Sequence, residues 1–368
     1  MSGYKILRVR AQNFRNLDAD VIELSPGMNC VFGANGNGKT NLLEAVYYLT
    51  NRKSFRKNTG FPQLLSVEGV EPQILLSAAF SADDEELVAL SGKITGDDEE
   101  WWLNNKPEKP RLKAQSVFVN PFDSYAFHTS STFRRTWVDT HLSQLDKEYK
   151  ATLNRFQKSL RFRNSLLALG PSSQNKVQLM ALDQDFSALS AFLVNSRNRW
   201  LGSLSEFITP TFREIFDEVH ELRLEIDSPF KDWSEKQFFE HYRITENNDF
   251  EARHTTSGVH RDDCKFFFDG LNSFEFCSLG QQKMSFLSLL FAFIELFRYK
   301  FTFYPIVLID DVSGELDGQR WKNLIQYLAK KSFQVLITTA NEGFRVELEK
   351  ISHARRIVME HGRLVSQG

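Results

Sequence analysis

Gly33, Gly38, Lys39 and Thr40 stand at the spacing G-x-x-x-x-G-K-[ST] within "FGANGNGKT", residues 32–40. Between a strand and a helix, such a loop turns successive backbone N–H groups onto phosphate oxygens, and the helix N-terminus adds the positive end of its dipole. The cradle runs over Gly33, Ala34, Asn35, Gly36, Asn37, Gly38, Lys39, Thr40 and Asn41, with Lys39 expected on the β/γ oxygens and Thr40 on Mg²⁺. "GMNCVF" supplies the apolar strand before it, and Leu42, Leu43, Val46, Tyr47 and Leu49 recur at helical spacing after it. ATP or GTP binding follows; a glycine-rich turn with a solvated lysine fits this context poorly.

A second chemical segment, "PIVLIDD", lies far downstream. Its apolar residues Ile306 to Ile309 form a buried strand that delivers Asp310 to a carboxyl end, where a carboxylate can enter the Mg²⁺ shell. Asp311 follows, placed to orient or deprotonate an attacking water. The third segment, "CSLGQQK", precedes another helix. Ser278, Gly280 and Gln281 resemble the signature motif of ATP-binding-cassette ATPases, with Leu279 where that motif has a glycine. In that class the motif touches the γ-phosphate held by the opposite subunit. Ser278 alone is equally a helix N-cap. "SGELD", just after Asp311, resembles the D-loop of the class, places Asp317, and favours the shared nucleotide site.

The elements that must hold these residues are split between the two ends of the chain. "YKILRVRAQNF", "PQILLSAAFS", "ELVALSGKI" and "SVFVNP" read as strands. After about Ser130, Val138, Leu142, Leu145, Tyr149, Leu153, Phe156 and Leu160 recur at steps of three and four, the face of one long helix. A second helical pattern runs from about Gln178 toward Pro210. "VHELRLEI" is strand-like, and "DDCKFFFDG" with "FEFCSLG" reads as a hairpin. A buried helix, the Asp310 strand, a helix from Gln319, the strand "FQVLITTA" and the hairpin "RRIVMEHGRLVS" complete the chain. The expected architecture is α/β: an ABC-type ATPase head assembled from residues 1–125 and 251–368, with a helical arm inserted at 126–250.

Composition excludes more than it assigns. Over 368 residues the formal net charge is −2, so any contact with DNA must come from local patches. Cys30, Cys264 and Cys277 lack metal-ligand spacing and read as reduced core thiols. No apolar signal core opens the chain, and the run from Met284 to Phe297 is interrupted by Glu295 and shorter than the roughly 20 residues that span a bilayer. A soluble, cytoplasmic protein without membrane contact is expected. The 33 phenylalanines fall mostly on apolar faces and read as packing.

Over nearly its whole length the chain resembles the bacterial RecF family, recombination mediators related to structural-maintenance-of-chromosomes ATPases. "LRVRAQNFRNL" is similar to that family's opening strand, "GANGNGKTNLLEAVYYLTNRKSFR" to its phosphate loop and Ser-Phe-Arg segment, and "STFRRTWVD" and "RFQKSLRFRNSLL" to its arm. "TTSGVHRDD" and "IDDVSGELD" follow its later motifs, with Val259 at a usual proline and Phe122 at a common acid. The switch histidine of transporters is absent, since "VLIT" leads into Thr339-Ala340-Asn341, and Asn120 or Asp123 stands where a Q-loop glutamine would act. The resemblance implies an ATP-dependent homodimer that binds duplex DNA and single-stranded gaps. It further implies slow, DNA-stimulated, Mg²⁺-dependent hydrolysis, and work with RecR and RecO to help load RecA. Two basic patches are candidates for the DNA surface: Arg52, Lys53, Arg56 and Lys57 after the first helix, and Lys147, Lys150, Lys158 and Arg161 on one arc of the arm helix. Arg56 has a second possible role, reaching the ATP. His260 and Arg261 are functional candidates or members of a strand-start network. An ABC/SMC-like ATPase of another DNA-processing or defence system, and a nucleotide-gated scaffold with little turnover, are the alternatives.

Overall fold

Strands Met28–Phe32, Ile306–Ile309 and Val335–Thr339 are buried at every residue, as the strands of a sheet covered on both faces must be. They lie together in a six-stranded sheet of a computed structural model that describes residues 3–67, 69, 71–82, 87–120, 122–311, 316–349, 351 and 353–368. The spatial order is Arg363–Gln367, Arg355–Glu360, Met28–Phe32, Val335–Thr339, Ile306–Ile309, Ser116–Val119. Every pairing is parallel except that of the Arg363–Gln367 edge. Registers such as Ile309 with Ile337, and Ile337 with Cys30, bring the phosphate loop and Asp310 to the same carboxyl edge. Met28–Phe32 lies between strands from the far end of the chain and Ser116–Val119 lies beside another, so neither terminal segment can form this sheet alone.

A second, antiparallel sheet follows the order Ile22–Glu23, Lys5–Gln12, Ile74–Ser81, Leu87–Thr95, Asp98–Leu103, Lys106–Pro107. Ile74–Ser81 alternates buried and half-buried residues, the period-two pattern of a sheet with one covered face. Leu43 and Val46 of the helix Lys39–Asn51 share one apolar core with residues of both sheets, among them Ile74, Phe80, Leu308 and Leu336.

The chain forms two units: residues 1–123, 213–218 and 294–368 in one, and residues 124–212 and 219–293 in the other. The expected division is corrected here. Residues 251–293, expected in the head, belong to the second unit. That unit also contains a three-stranded antiparallel sheet, Leu271–Asn272, Asp263–Phe268, Leu222–Asp227.

Three local expectations are corrected as well. The apolar stripe from Val138 to Leu160 lies on two helices, Ser131–Leu145 and Lys147–Ala168. Asp146 leaves the helical region and caps the second helix, accepting hydrogen bonds from the N–H groups of Glu148 and Tyr149. Pro210 lies inside the 44-residue helix Ser173–Phe216 and does not end it. "FEFCSLG" is no strand: Asn272 caps the short helix Ser273–Phe276, and Asp263–Phe268 pairs instead with Leu222–Asp227. Cys30 and Cys264 are buried in strands, whereas Cys277 is half-buried and follows the short helix.

Candidate nucleotide-binding site

The phosphate loop leaves the strand at Gly33 and enters the helix at Gly38, and both positions require glycine. Gly33 has φ 152° and passes so close to the Met359 carbonyl that an added Cβ would lie 2.4 Å from its oxygen. Gly38 is the N-cap of Lys39–Asn51 in the left-handed region, at φ 90°. Two asparagines tie the loop to its surroundings: Asn37, within it, donates through Nδ2 to the Met359 carbonyl at 3.2 Å, and Asn16, from outside, donates through Nδ2 to the Gly36 carbonyl at 3.1 Å.

Lys39 is 7% exposed and folds back along the loop, its Nζ donating to the carbonyls of Gly33 (2.8 Å) and Ala34 (3.0 Å). Burial holds its pKa below the ordinary lysine value, against the pull of Asp311 and Asp310. Thr40 Oγ1 lies 3.0 and 2.9 Å from the two carboxylate oxygens of Asp310. Thr338, from the strand between, donates to Asp310 Oδ1 at 2.7 Å and accepts the Asp311 N–H at 3.1 Å. Asp311 itself sits at φ 34°, a left-handed conformation that costs a non-glycine residue about 1 kcal/mol. Thr338 escapes a reading based on motifs; its signal is the threonine pair Thr338-Thr339 that ends an apolar strand next to the Asp310 strand.

Asn35 to Asn41, Arg56, Phe122, Asp310 and Asp311 surround a cavity of about 360 Å³. A larger one, about 940 Å³, adjoins it through Asn41 and Arg56 and is lined further by Asn16, Asp18, His361 and Arg363. Thr40 and Asp310 offer hard oxygen donors of the kind Mg²⁺ prefers. Among the described residues no group of three or more His, Cys, Asp or Glu could hold a metal. A cation bound here would therefore share its ligands with phosphate, which is the usual habit of Mg²⁺.

Of the Q-loop candidates, Asn120 is used by its own turn: its side-chain oxygen accepts the Phe122 N–H and its carbonyl the Asp123 N–H. Asp123 opens the next helix, and burial pushes its pKa up to about 6, with Lys57 opposing.

The basic loop divides. Arg52 is not a solvated cation, which corrects its place among the DNA candidates: its Nη2 donates to both Glu108 carboxylate oxygens, at 2.9 and 2.8 Å, and its guanidinium lies 3.5 Å over the Trp101 ring. Arg56 donates to Asn41 Oδ1 at 2.8 Å and faces Glu44 at 3.4 Å. Lys53 and Lys57 are exposed. Lys147, Lys150, Lys158 and Arg161 are all exposed on the helix Lys147–Ala168, as the arc predicts.

Ser278, Gly280 and Gln281 lie in the second unit at the start of the helix Leu279–Phe301. Ser278 and Gln281 cap that helix reciprocally, the Gln281 N–H donating to Ser278 Oγ (3.3 Å) and the Ser278 N–H to Gln281 Oε1 (2.9 Å). A Cβ added to Gly280 would meet nothing within 4 Å, so packing within the chain gives no reason for a glycine there. In the D-loop-like segment, residues 313–315 lie outside the described residues; Asp317 caps the helix Gly318–Lys330. His260 bonds the Thr255 carbonyl at 3.2 Å, and burial lowers its pKa to about 4, so it is a neutral member of the strand-start network.

The model of the RecF/RecN/SMC N terminal domain family matches residues 5–364. The DNA replication and repair protein RecF of Lactobacillus johnsonii is 28% identical over 92% of this chain and 93% of its own length. That of an Exiguobacterium species is 29% identical over 95% and 96%. Among solved structures, the recombination mediator protein RecF-ATPrS in the RecFOR pathway is 24% identical, covers 98% of both chains and superposes with a TM-score of 0.83. No helix of the described residues is long and apolar enough to cross a membrane.

Proposed function

Because the chain belongs to the RecF/RecN/SMC N terminal domain family, we propose that it is a RecF-type recombination mediator, an ATP-binding protein of DNA repair and replication. The observation that carries this reading is the meeting of the phosphate loop with Asp310: Thr40 and Thr338, from two different segments, both hydrogen-bond the one carboxylate beside a buried lysine. With ATP in the cavity, Lys39 exchanges its two carbonyl partners for phosphate oxygens. The backbone N–H groups of residues 36–40 face the same charge. Mg²⁺, held by Thr40 and Asp310, would neutralise phosphate charge. The larger adjoining cavity has room for base and ribose. Asp311 lines the cavity and is available to hold water at the γ-phosphate; Asp123, next to Phe122 of that lining, is the second candidate, and its raised pKa suits it to accept a proton.

Two copies share each nucleotide in this reading. Ser278, Gly280 and the exposed N-terminus of the helix Leu279–Phe301 serve the γ-phosphate bound by the partner copy. The open space around Gly280 supports this, since a helix glycine costs about 1 kcal/mol relative to alanine and here earns nothing within its own chain. The Ser278–Gln281 cap would open as the hydroxyl turns to phosphate. DNA is met by Lys147, Lys150, Lys158 and Arg161, with Lys53 and Lys57 as the second patch. The closed dimer acts in the cytoplasm with RecR and RecO to help load RecA at single-stranded gaps. ATP turnover with and without DNA tests the proposal. Slow turnover that rises with gapped DNA is expected; binding without measurable single turnover would leave a nucleotide-gated scaffold.

A further inference from the structure

Besides Lys39, Glu44 is the other charged residue that the phosphate-loop helix buries. Its side chain is fully enclosed, four residues beyond Thr40 in a run of apolar positions, and a lone carboxylate there would be costly without partners. It has them. Arg15 Nε and Nη2 donate to its two oxygens at 3.0 and 2.9 Å, Ser54 Oγ donates at 2.5 Å, and Arg56 Nη1 lies 3.4 Å away. One negative charge thus faces two guanidiniums, leaving the cluster with one positive charge in excess.

The two arginines are held differently. Arg15 is engaged bidentately, and its side chain is 18% exposed. Arg56 is 35% exposed, borders both cavities, and is steadied by Asn41 Oδ1 at 2.8 Å. Its backbone N–H is fixed by the same Ser54 hydroxyl that Glu44 binds, at 2.9 Å. Asn41 in turn donates to Asn16, which braces the Gly36 carbonyl of the loop. The loop after the helix is therefore tied back to the cradle through one buried carboxylate. A planar guanidinium with five donors, only some engaged, remains turned to the cavity.

We propose that Glu44 is a positioning residue for nucleotide binding: it holds Arg56 at the mouth of the phosphate cradle, with its free donors directed at the nucleotide. This rests on the nucleotide reading of the cavity. It adds that the affinity contributed by Arg56 depends on a carboxylate that never touches the ligand.

A double-mutant cycle read by ATP titration tests it. Arg56→Ala is expected to weaken ATP binding about tenfold to a hundredfold, the range of a hydrogen bond to a charged group. Glu44→Gln keeps the shape but leaves two guanidiniums unneutralised, and is expected to weaken ATP about tenfold. Glu44→Asp is expected to recover part of that loss. The double variant Glu44→Gln/Arg56→Ala is expected to bind no more weakly than Arg56→Ala, because Glu44 acts through Arg56. Ser54→Ala removes a donor from Glu44 without altering charge and is expected to give a smaller loss in the same direction; it decides the matter if Glu44→Gln does not fold. Parental ATP affinity in folded Glu44→Gln, or losses that multiply in the double variant, would overturn the assignment. Lys39→Ala separates the two levels: if it also leaves ATP affinity unchanged, the cavity is not the nucleotide site, whereas if it alone abolishes binding, only the role of Glu44 fails.

Discussion

Replacing Lys39 by alanine removes a cation that the fold places at some cost. Its Nζ has two hydrogen bonds, to the carbonyls of Gly33 and Ala34, and both must be given up when phosphate enters. Two bonds to anionic oxygens contribute about 1.5–3 kcal/mol each, and the two carbonyl bonds returned offset part of that. A net of about 3 kcal/mol remains, so Lys39→Ala should weaken ATP roughly a hundredfold. Burial holds the free lysine below its ordinary pKa, while a bound phosphate raises it again. ATP affinity of the parent is therefore full below the free-state pKa of Lys39 and declines as pH rises from that value toward the bound-state one. In Lys39→Ala this decline should vanish. Without nucleotide the variant should stay folded and melt near the parent temperature, because the loop is also held by Asn37 and Asn16. Calorimetric titration at several pH values, with thermal melts as control, measures all three. An unchanged dissociation constant in a folded variant would refute the assignment of the loop.

Arg163 is fully buried between Asp183 and Asp249, at 2.8 and 2.7 Å, and also reaches Thr255. Arg163→Met strands two buried carboxylates and should cost the second unit about 3–5 kcal/mol in urea unfolding, part of it recovered in Arg163→Met/Asp183→Asn/Asp249→Asn. Reversing Lys147, Lys150, Lys158 and Arg161 to Glu should weaken DNA binding and flatten its dependence on log salt by about 3 units, through lost counterion release. An unchanged slope in a fluorescence-anisotropy titration would move the DNA surface to the loop of Lys53 and Lys57.

Legibility followed the range of the interactions. The phosphate loop and Asp310 could be read because each is a local pattern whose neighbours declare strand or helix, and the parallel sheet then brings them together. Arg52 could not, since its partner Glu108 lies 56 residues away and the Trp101 ring beneath it belongs to the distant strand Asp98–Leu103. Glu44 was missed although its signal was present: an acid inside "NLLEAVYYL" occupies a position that the helix buries. Asp146 broke an apolar stripe that ran on unaltered, because hydrophobic period and helix continuity are separate properties. The second unit captured residues 251–293 through the pairing of Asp263–Phe268 with Leu222–Asp227, a long-range choice that local propensity does not encode. The Ser278 ambiguity persists for a different reason: a helix cap and a phosphate ligand call for the same hydroxyl at the same helix end.

Sedimentation velocity with and without ATP bears most directly on the claim of an ATP-gated dimer. The parent should sediment as a monomer alone and as a dimer at saturating ATP. Ser278→Arg should bind ATP as the parent does, its own cradle being intact, yet remain monomeric, because the bulky cation fills the space at Ser278 and Gly280 where the partner's phosphate would enter. A parent that stays monomeric with ATP bound, or a Ser278→Arg variant that dimerises normally, would contradict the account and leave the segment as a helix cap.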